Sequence, residues 1–197
     1  MTGQAPSLDA LTTAARHLGV ELAAIQAFAD VERGPWSAFL PSGEPLALFE
    51  RHLFHRYTDG RFDETAPDVS ATTMGGYGPL ARQHARIRRA CALDREAALR
   101  ATSWGLWQVL GNNWDVCGYS TLDAFVAEAY VDVNGHLRLF VAFVAASSAL
   151  VRAIRARDWA TAARLYNGSG YAEHAYDTRL AAAYARHAGT GAAPMGA

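Results

Sequence analysis

The 197-residue sequence predicts a mainly α-helical fold with at most a small β-hairpin. Apolar residues recur at helical spacing through most of the chain, and Ser, Pro and Gly stand where helices would begin and end. The composition is globular, with 51% hydrophobic and 19% charged residues. No repeat or linker divides the chain, so we expect one domain over residues 1–188. The Gly/Ala/Pro-rich tail, 189–197, is expected to be disordered.

The elements follow from local signals along the chain. Ser7 can cap a first helix that Gly19 ends, and a second helix should end at Glu32. Residues 34–43 read as a loop or a short strand pair, and 59–78 as a long polar loop with a functional role. Residues 103–111 form an apolar, aromatic segment. The other predicted helices cover 45–57, 79–91, 95–100, 120–130 with Ser120 as its cap, 134–147, 149–157, 159–166 and 171–187.

The bulk properties exclude several classes of protein. A net charge of −1 gives no reason to expect a nucleic acid partner. The longest uncharged apolar stretch, 139–151, has 13 residues and is too short to span a membrane. The N-terminus lacks the basic and apolar regions of a signal peptide, so we expect synthesis in the cytoplasm without one. Cys91 and Cys117 belong to no metal or redox motif, and we expect buried free thiols. A disulfide between them is the alternative for a protein that acts outside the cytoplasm.

Glu32 is the strongest candidate for a catalytic residue. On a helical period it falls on the line of Ile25 and Phe28, the face that should point inward. The negative end of the helix dipole and the apolar neighbours both favour its protonated form. A carboxyl group protonated near neutral pH can protonate the leaving oxygen of a glycoside. The alternative is that Glu32 lies in solvent and pairs with Arg33.

Glu50 is the second candidate carboxylate. In the helix predicted over 45–57 it shares one face with Leu46, Leu53 and Tyr57. A charge on an apolar face is costly unless it is paired. Glu50 should therefore either work in a site or form a buried ion pair with an arginine.

Two further segments carry groups that suit a sugar chain. The first, 103–113, offers tryptophan faces for stacking and a glutamine that needs partners inside an apolar stretch. The second, 166–171, offers phenols, an amide and a flexible backbone. Each also has a plain structural interpretation, as core tryptophans and as an Asn-Gly turn between packed tyrosines. The candidate substrate-binding residues are Ser103, Trp104, Gln108, Asn112, Tyr166, Asn167 and Tyr171.

Taken together and in order, these motifs resemble the N-acetylmuramidase domain of phage endolysins and bacterial cell-wall effectors, a lysozyme-like family. The Ser-x-Gly-Leu-x-Gln pattern at 103–108 also resembles the motif that lines the sugar cleft of lytic transglycosylases and goose-type lysozymes. The matching pieces are 18–21, 24–27, 31–32, 48–52, 103–108, 166–168, 171 and 176–178.

The resemblance implies a lysozyme-like helical fold with Glu32 as general acid. It implies that Glu50 lies near the cleft, as second carboxylate or structural anchor. The expected activity is hydrolysis of the β-1,4 bond between N-acetylmuramic acid and N-acetylglucosamine in peptidoglycan, in the periplasm or outside the cell, with no metal or organic cofactor. The expected partners are peptidoglycan glycan strands and, for an effector, an immunity protein or delivery machinery.

Three alternatives stay open at this point. A lytic transglycosylase would use the same acid but form 1,6-anhydromuramic acid. A non-catalytic module would bind peptidoglycan without turnover. A metal hydrolase using His52 and His55 is the most remote, because no third ligand is evident in the sequence.

Overall fold

The computed structural model describes residues 5–33 and 36–190 and is mainly α-helical, which confirms the predicted fold class. Three short strands form one antiparallel sheet in the order β1-β2-β3, one strand more than the expected hairpin. The strands are β1 (Ala47–Phe49), β2 (Thr102–Trp104) and β3 (Val109–Leu110). The helices are α1 (Leu8–Leu18), α2 (Leu22–Arg33), α3 (Arg51–Tyr57), α4 (Gln83–Leu93), α5 (Arg95–Arg100), α6 (Leu122–Val131), α7 (Val133–Ala145), α8 (Ser148–Arg155), α9 (Trp159–Asn167) and α10 (Tyr176–Thr190).

The chain divides into two compact units that are interleaved in sequence. The first contains Ser37–Leu139, and the second combines Pro6–Trp36 with Phe140–Ala197. The last helix, α10, extends to Thr190, two residues into the tail that was expected to be disordered. The rest of that tail, 191–197, lies outside the described residues.

The helix predicted over 45–57 is wrong in its first half. Residues Ala47–Phe49 form β1, which pairs with β2, and the helix begins only at Arg51 with Glu50 as its N-cap residue. The alternation of buried and partly buried side chains in β1 is that of a strand. A short apolar run fits a buried strand as well as a helix, and here the pairing with β2 decided between them.

The described residues of 34–43 form a loop with one isolated bridge, between Phe39 and Pro45, which agrees with the predicted loop. Another local prediction needs correction. The helix expected to be capped by Ser120 is capped by Thr121, whose hydroxyl accepts the Ala124 N–H at 3.1 Å. Ser7 does cap α1, as predicted.

The first unit has its core around the sheet. Antiparallel β1 and β2 pair Ala47 with Trp104, and α4 packs against β1. His136 is buried here: one ring nitrogen faces the Ala129 carbonyl at 2.8 Å and the other accepts the Leu106 N–H at 3.3 Å. Burial lowers the pKa of His136, so the neutral ring is part of the core.

The second unit is a packed group of helices. Helix α2 packs against α1 and α10, and α8 packs against α9. The rings of Phe28 and Phe140 lie 5.3 Å apart at its centre. Arg155 donates to the carbonyl oxygens of Leu18 at 2.6 Å and Gly19 at 2.9 Å, which satisfies the exposed end of α1. This packing fixes α2 against α10.

Among the described residues, no single helix is long and apolar enough to cross a membrane. Helices α7 and α8 are long and apolar enough to cross a membrane only when taken together, and they are bent by 101° relative to each other.

Candidate active site

Glu32 lies in the last turn of α2, within the second unit. Ile25 and Phe28, on the same helix face, are fully buried, and Glu32 itself is half-buried. The face predicted from the helical period is therefore the face that packs inward. Its position near the helix C-terminus also exposes the carboxyl to the negative end of the dipole.

Burial raises the pKa of Glu32 from its usual 4.5 to about 7. Two neighbours on α10 oppose this effect: the phenol of Tyr176 donates a hydrogen bond to Glu32 Oε1, and the positive charge of Arg179 favours the ionised carboxylate. Desolvation is the larger influence, so the carboxyl is poised between its two protonation states near neutral pH.

Tyr176 is held on both sides by its own neighbours. The side chain is 6% exposed, and its ring stacks on that of Tyr166 with centroids 6.0 Å apart. Burial raises the pKa of Tyr176 well above its usual range, so the phenol keeps its proton. Because that proton is donated to Glu32, the hydrogen bond with Asn167 must be donated by the Asn167 amide. The three side chains form a chain of hydrogen bonds, in which Asn167 donates to Tyr176 and Tyr176 donates to Glu32.

Arg179 connects the same helix to the end of α2. Its Nη2 donates to the carbonyl oxygen of Val31 at 3.0 Å, one residue before Glu32. The bond satisfies a carbonyl in the last turn of α2, where helical partners run out. Arg179 thus places a positive charge beside the acid.

Glu32 opens into a cavity of about 440 Å³. Of the residues proposed from sequence, Glu32, Asn167 and Tyr171 line it. Tyr166 is not among the lining residues; its ring packs on Phe28 at 5.5 Å and on Phe140 at 5.7 Å. The lining residues are Val31, Glu32, Asn167, Gly170, Tyr171, Glu173, His174, Tyr176 and Arg179.

Four polar lining residues were not singled out from sequence. They all follow the Tyr-Asn-Gly segment, and the only signal for them was the match at 176–178, which includes the tyrosine that contacts the acid. Glu173 is the second carboxylate among the described residues that line the cavity. The four are Glu173, His174, Tyr176 and Arg179.

Glu50 belongs to the first unit, and its partners differ from the expected arginine. Tyr77 donates its phenol hydrogen bond to the Glu50 carboxylate. The other carboxylate oxygen, Oε2, lies 3.4 Å from His52 Nδ1. Arg51 turns instead to Thr73. A buried ion pair between Glu50 and an arginine is therefore not formed among the described residues.

The 103–113 segment forms β2, a turn and β3. Ser103 is 8% exposed and Trp104 only 1%, and the Trp104 indole donates to the Leu99 carbonyl at 3.3 Å. The stacking surface expected of Trp104 is thus packed inside the unit. Gln108 donates to the Gly105 carbonyl at 2.7 Å, and Asn112 accepts from Arg100 at 2.9 Å.

The two histidines considered for a metal have separate contacts. His52 faces Glu50, while His55 Nδ1 lies 2.7 Å from Asp63 Oδ2. Within the described residues there is no group of three or more acidic, histidine or cysteine side chains placed to hold a metal ion.

A mainly helical fold with a small sheet and a cavity built around an acid of raised pKa is typical of lysozyme-like glycosidases. Comparison with known proteins agrees. The N-acetylmuramidase family model matches residues 21–188, and the chain belongs to that family. It is therefore a peptidoglycan hydrolase.

Among solved structures, the chain is similar to the Burkholderia AP3 phage endolysin, with a TM-score of 0.89 and 36% sequence identity. The match covers 96% of this chain and 73% of the endolysin chain. No relative was found among curated protein sequences.

Proposed function

We propose that the chain cleaves the β-1,4 bond between N-acetylmuramic acid and N-acetylglucosamine, with Glu32 as the general acid. The observation that carries this proposal is a carboxyl group with a pKa of about 7 that lines a cavity in a member of the N-acetylmuramidase family. A pKa near the working pH lets a group hold a proton and still release it in the transition state.

The contacts of Glu32 suggest which oxygen carries that proton. Oε1 accepts the Tyr176 phenol, so the neutral acid should carry its proton on Oε2. As the bond from C1 to the leaving oxygen breaks, the Oε2 proton passes to that oxygen, and C1 acquires oxocarbenium character. Tyr176 then stabilises the carboxylate that remains.

Water must reach C1 to complete hydrolysis, and glycosidases usually use a second carboxylate to direct it. The sequence predicted Glu50 as a second carboxylate or structural anchor, and the 59–78 loop as a segment with a functional role. Within the cavity of Glu32, Glu173 is the carboxylate that could serve it. We propose that Asn167 and Tyr171, which line the same cavity, hold the glycan. Trp104, packed in the core, is left out of this surface.

Digestion of purified sacculi, followed by mass analysis of the soluble products, tests the proposal. Wild-type chain should release fragments with reducing N-acetylmuramic acid ends. Glu32→Gln should lose about 10²–10⁴-fold of this rate, since the amide keeps the shape but donates no such proton. Glu96→Gln, an exposed carboxylate on α5 in the other unit, is the matched control and should digest as wild type.

Other products would identify the alternatives. Ends in 1,6-anhydromuramic acid would identify a lytic transglycosylase, in which the muramyl 6-hydroxyl replaces water. Retention on sacculi without release of fragments would identify a binding module. Reducing N-acetylglucosamine ends would place the cut at the other glycosidic bond and contradict the proposed specificity.

A further inference from the structure

Residues 73–77 form a loop tip whose two ends are held by adjacent side chains. At one end, Arg51 donates to the Thr73 carbonyl at 3.3 Å and to its hydroxyl at 3.0 Å. At the other end, the carboxylate of Glu50 accepts the phenol of Tyr77. Both side chains project from the start of α3, so one short stretch of backbone fixes both ends of the tip.

The Tyr77 end has two additional contacts. The Tyr77 carbonyl accepts hydrogen bonds from Gln83 Nε2 at 2.5 Å and Arg86 Nη1 at 2.7 Å. Gln83 is fully buried and also accepts the Phe49 N–H at 3.0 Å, which ties the tip to β1. The guanidinium of Arg86 lies over the Phe49 ring, 5.4 Å from its centroid. The 73–77 tip is therefore attached to the sheet of the first unit.

Between these ends, the tip presents an apolar side chain to solvent. Met74 is 71% exposed, the most exposed large hydrophobic side chain among the described residues. Gly76 has a φ of +67° and lies against Arg51, since a Cβ there would come within 2.8 Å of Arg51 Cζ. The positive φ favours glycine at 76, because residues with a Cβ rarely adopt it.

We propose that the 73–77 tip is a glycan-binding segment and that Glu50 is a positioning residue that holds the tip through Tyr77. The inference rests on the proposed function for its ligand. A thioether side chain can pack on the C–H face of a sugar ring. Polar backbone groups of the tip can bind hydroxyl and N-acetyl groups, except for the Gly75 N–H, which donates to the Tyr77 phenol. Binding loops that a rigid scaffold holds in place lose less entropy on binding.

The surroundings of Glu50 favour positioning over catalysis. Its Oε2 is buried, has no hydrogen-bond partner among the described residues, and faces the equally buried His52 Nδ1 at 3.4 Å. In Glu50→Gln, the amide oxygen can still accept from Tyr77, and its NH₂ group can donate to His52 Nδ1. The conservative variant should therefore keep the tip in place, whereas a catalytic carboxylate would not tolerate it.

Hydrogen exchange and steady-state kinetics on soluble glycan strands together test the proposal. In Tyr77→Phe and Glu50→Ala, the amides of the 73–77 tip other than Gly75, whose own N–H donates to the Tyr77 phenol, should exchange faster. KM should rise by about 2- to 10-fold, the effect of one lost hydrogen bond, and kcat should change less. Glu50→Gln should resemble wild type in both measurements. Tyr77→Phe keeps its ring, so it tests the contact even where Glu50→Ala fails to fold.

Met74→Ala separates binding from positioning. It should raise KM and leave the exchange of neighbouring amides unchanged. Val116→Ala is the matched control, because Val116 is 57% exposed in the same unit but lies outside the tip. It should leave KM unchanged.

Three results would overturn the proposal. The first is unchanged exchange at 73–77 in Tyr77→Phe. The second is faster exchange with an unchanged KM, or an unchanged KM in Met74→Ala. The third is loss of kcat in Glu50→Gln with Tyr77→Phe near wild type, which would make Glu50 catalytic. Failure of the proposed function would instead appear as absence of turnover by the wild-type chain, and the exchange measurement would still report on the contact.

Discussion

The raised pKa of Glu32 predicts that the acid destabilises the fold at neutral and alkaline pH. Its pKa is 4.5 in an ordinary setting and about 7 in the folded chain, so the folded state binds the proton more tightly. The resulting stability is fully present below pH 4.5 and is lost as pH rises through 7. At about 1.4 kcal/mol for each pH unit, the loss reaches about 3 kcal/mol, an upper value because the side chain is half-buried.

Glu32→Gln should remove this pH dependence, because the amide does not ionise and can still accept from Tyr176. Thermal or urea unfolding of wild type and variant between pH 4 and 9 gives the test. The two should be similarly stable near pH 4, and the variant should gain up to about 3 kcal/mol by pH 8, roughly 6–12 °C in melting temperature. Parallel stability curves over this range would refute the desolvation argument. The same variant is the one that we propose to be inactive, so Glu32 would support catalysis at the expense of stability.

Two further predictions follow from single contacts. Tyr176→Phe removes a hydrogen bond that favours ionised Glu32, so the alkaline limb of kcat/KM and the carboxyl titration seen by carbon NMR should both move up by about 1–2 pH units. Tyr171→Phe, in the same cavity, is the control and should leave both in place. An unmoved limb in Tyr176→Phe would mean that the phenol does not act on the acid. Gly105→Ala places a Cβ 2.8 Å from the buried His136 ring at a φ of +73°. Its free energy of unfolding in urea should fall by well over the about 1–2 kcal/mol expected from backbone strain alone. Gly118→Ala, at a φ of +78° in open space, should lose only the strain energy, and equal losses in the two variants would contradict the predicted clash.

Most of the helices could be predicted from helical spacing and capping residues. The main error in the predicted fold was the segment just before Glu50. The apolar run before Glu50 forms β1 because Thr102–Trp104 pairs with it, and that pairing joins segments more than fifty residues apart. Local periodicity contains no information about such a partner. Glu50 therefore lies at the N-cap of α3 and not on a helix face as predicted. The arginine partner expected from that face is absent among the described residues.

The acid of the candidate site could be predicted because its cause is local. The end of a helix and the apolar face before it are both visible in the sequence around Glu32. Its controlling contacts are not local, since Tyr176 lies 144 residues further along the chain. Nothing in the spacing of Tyr176 and Arg179 indicates that α10 packs on α2. The burial that raises the pKa could thus be expected, while the groups that limit it required the structure.

The chemistry that we propose for the cavity depends on this balance between burial and contact. Burial alone would push the pKa of Glu32 higher, and an acid that holds its proton too tightly protonates a leaving oxygen poorly. A single hydrogen bond from Tyr176 and the charge of Arg179 oppose that rise. Both belong to α10, whose packing on α2 also buries the carboxyl. The contact between α10 and α2 therefore provides both the burial that raises the pKa of Glu32 and the two groups that lower it. Changes in the packing of α10 on α2 should alter this pKa even where Glu32 itself is unchanged.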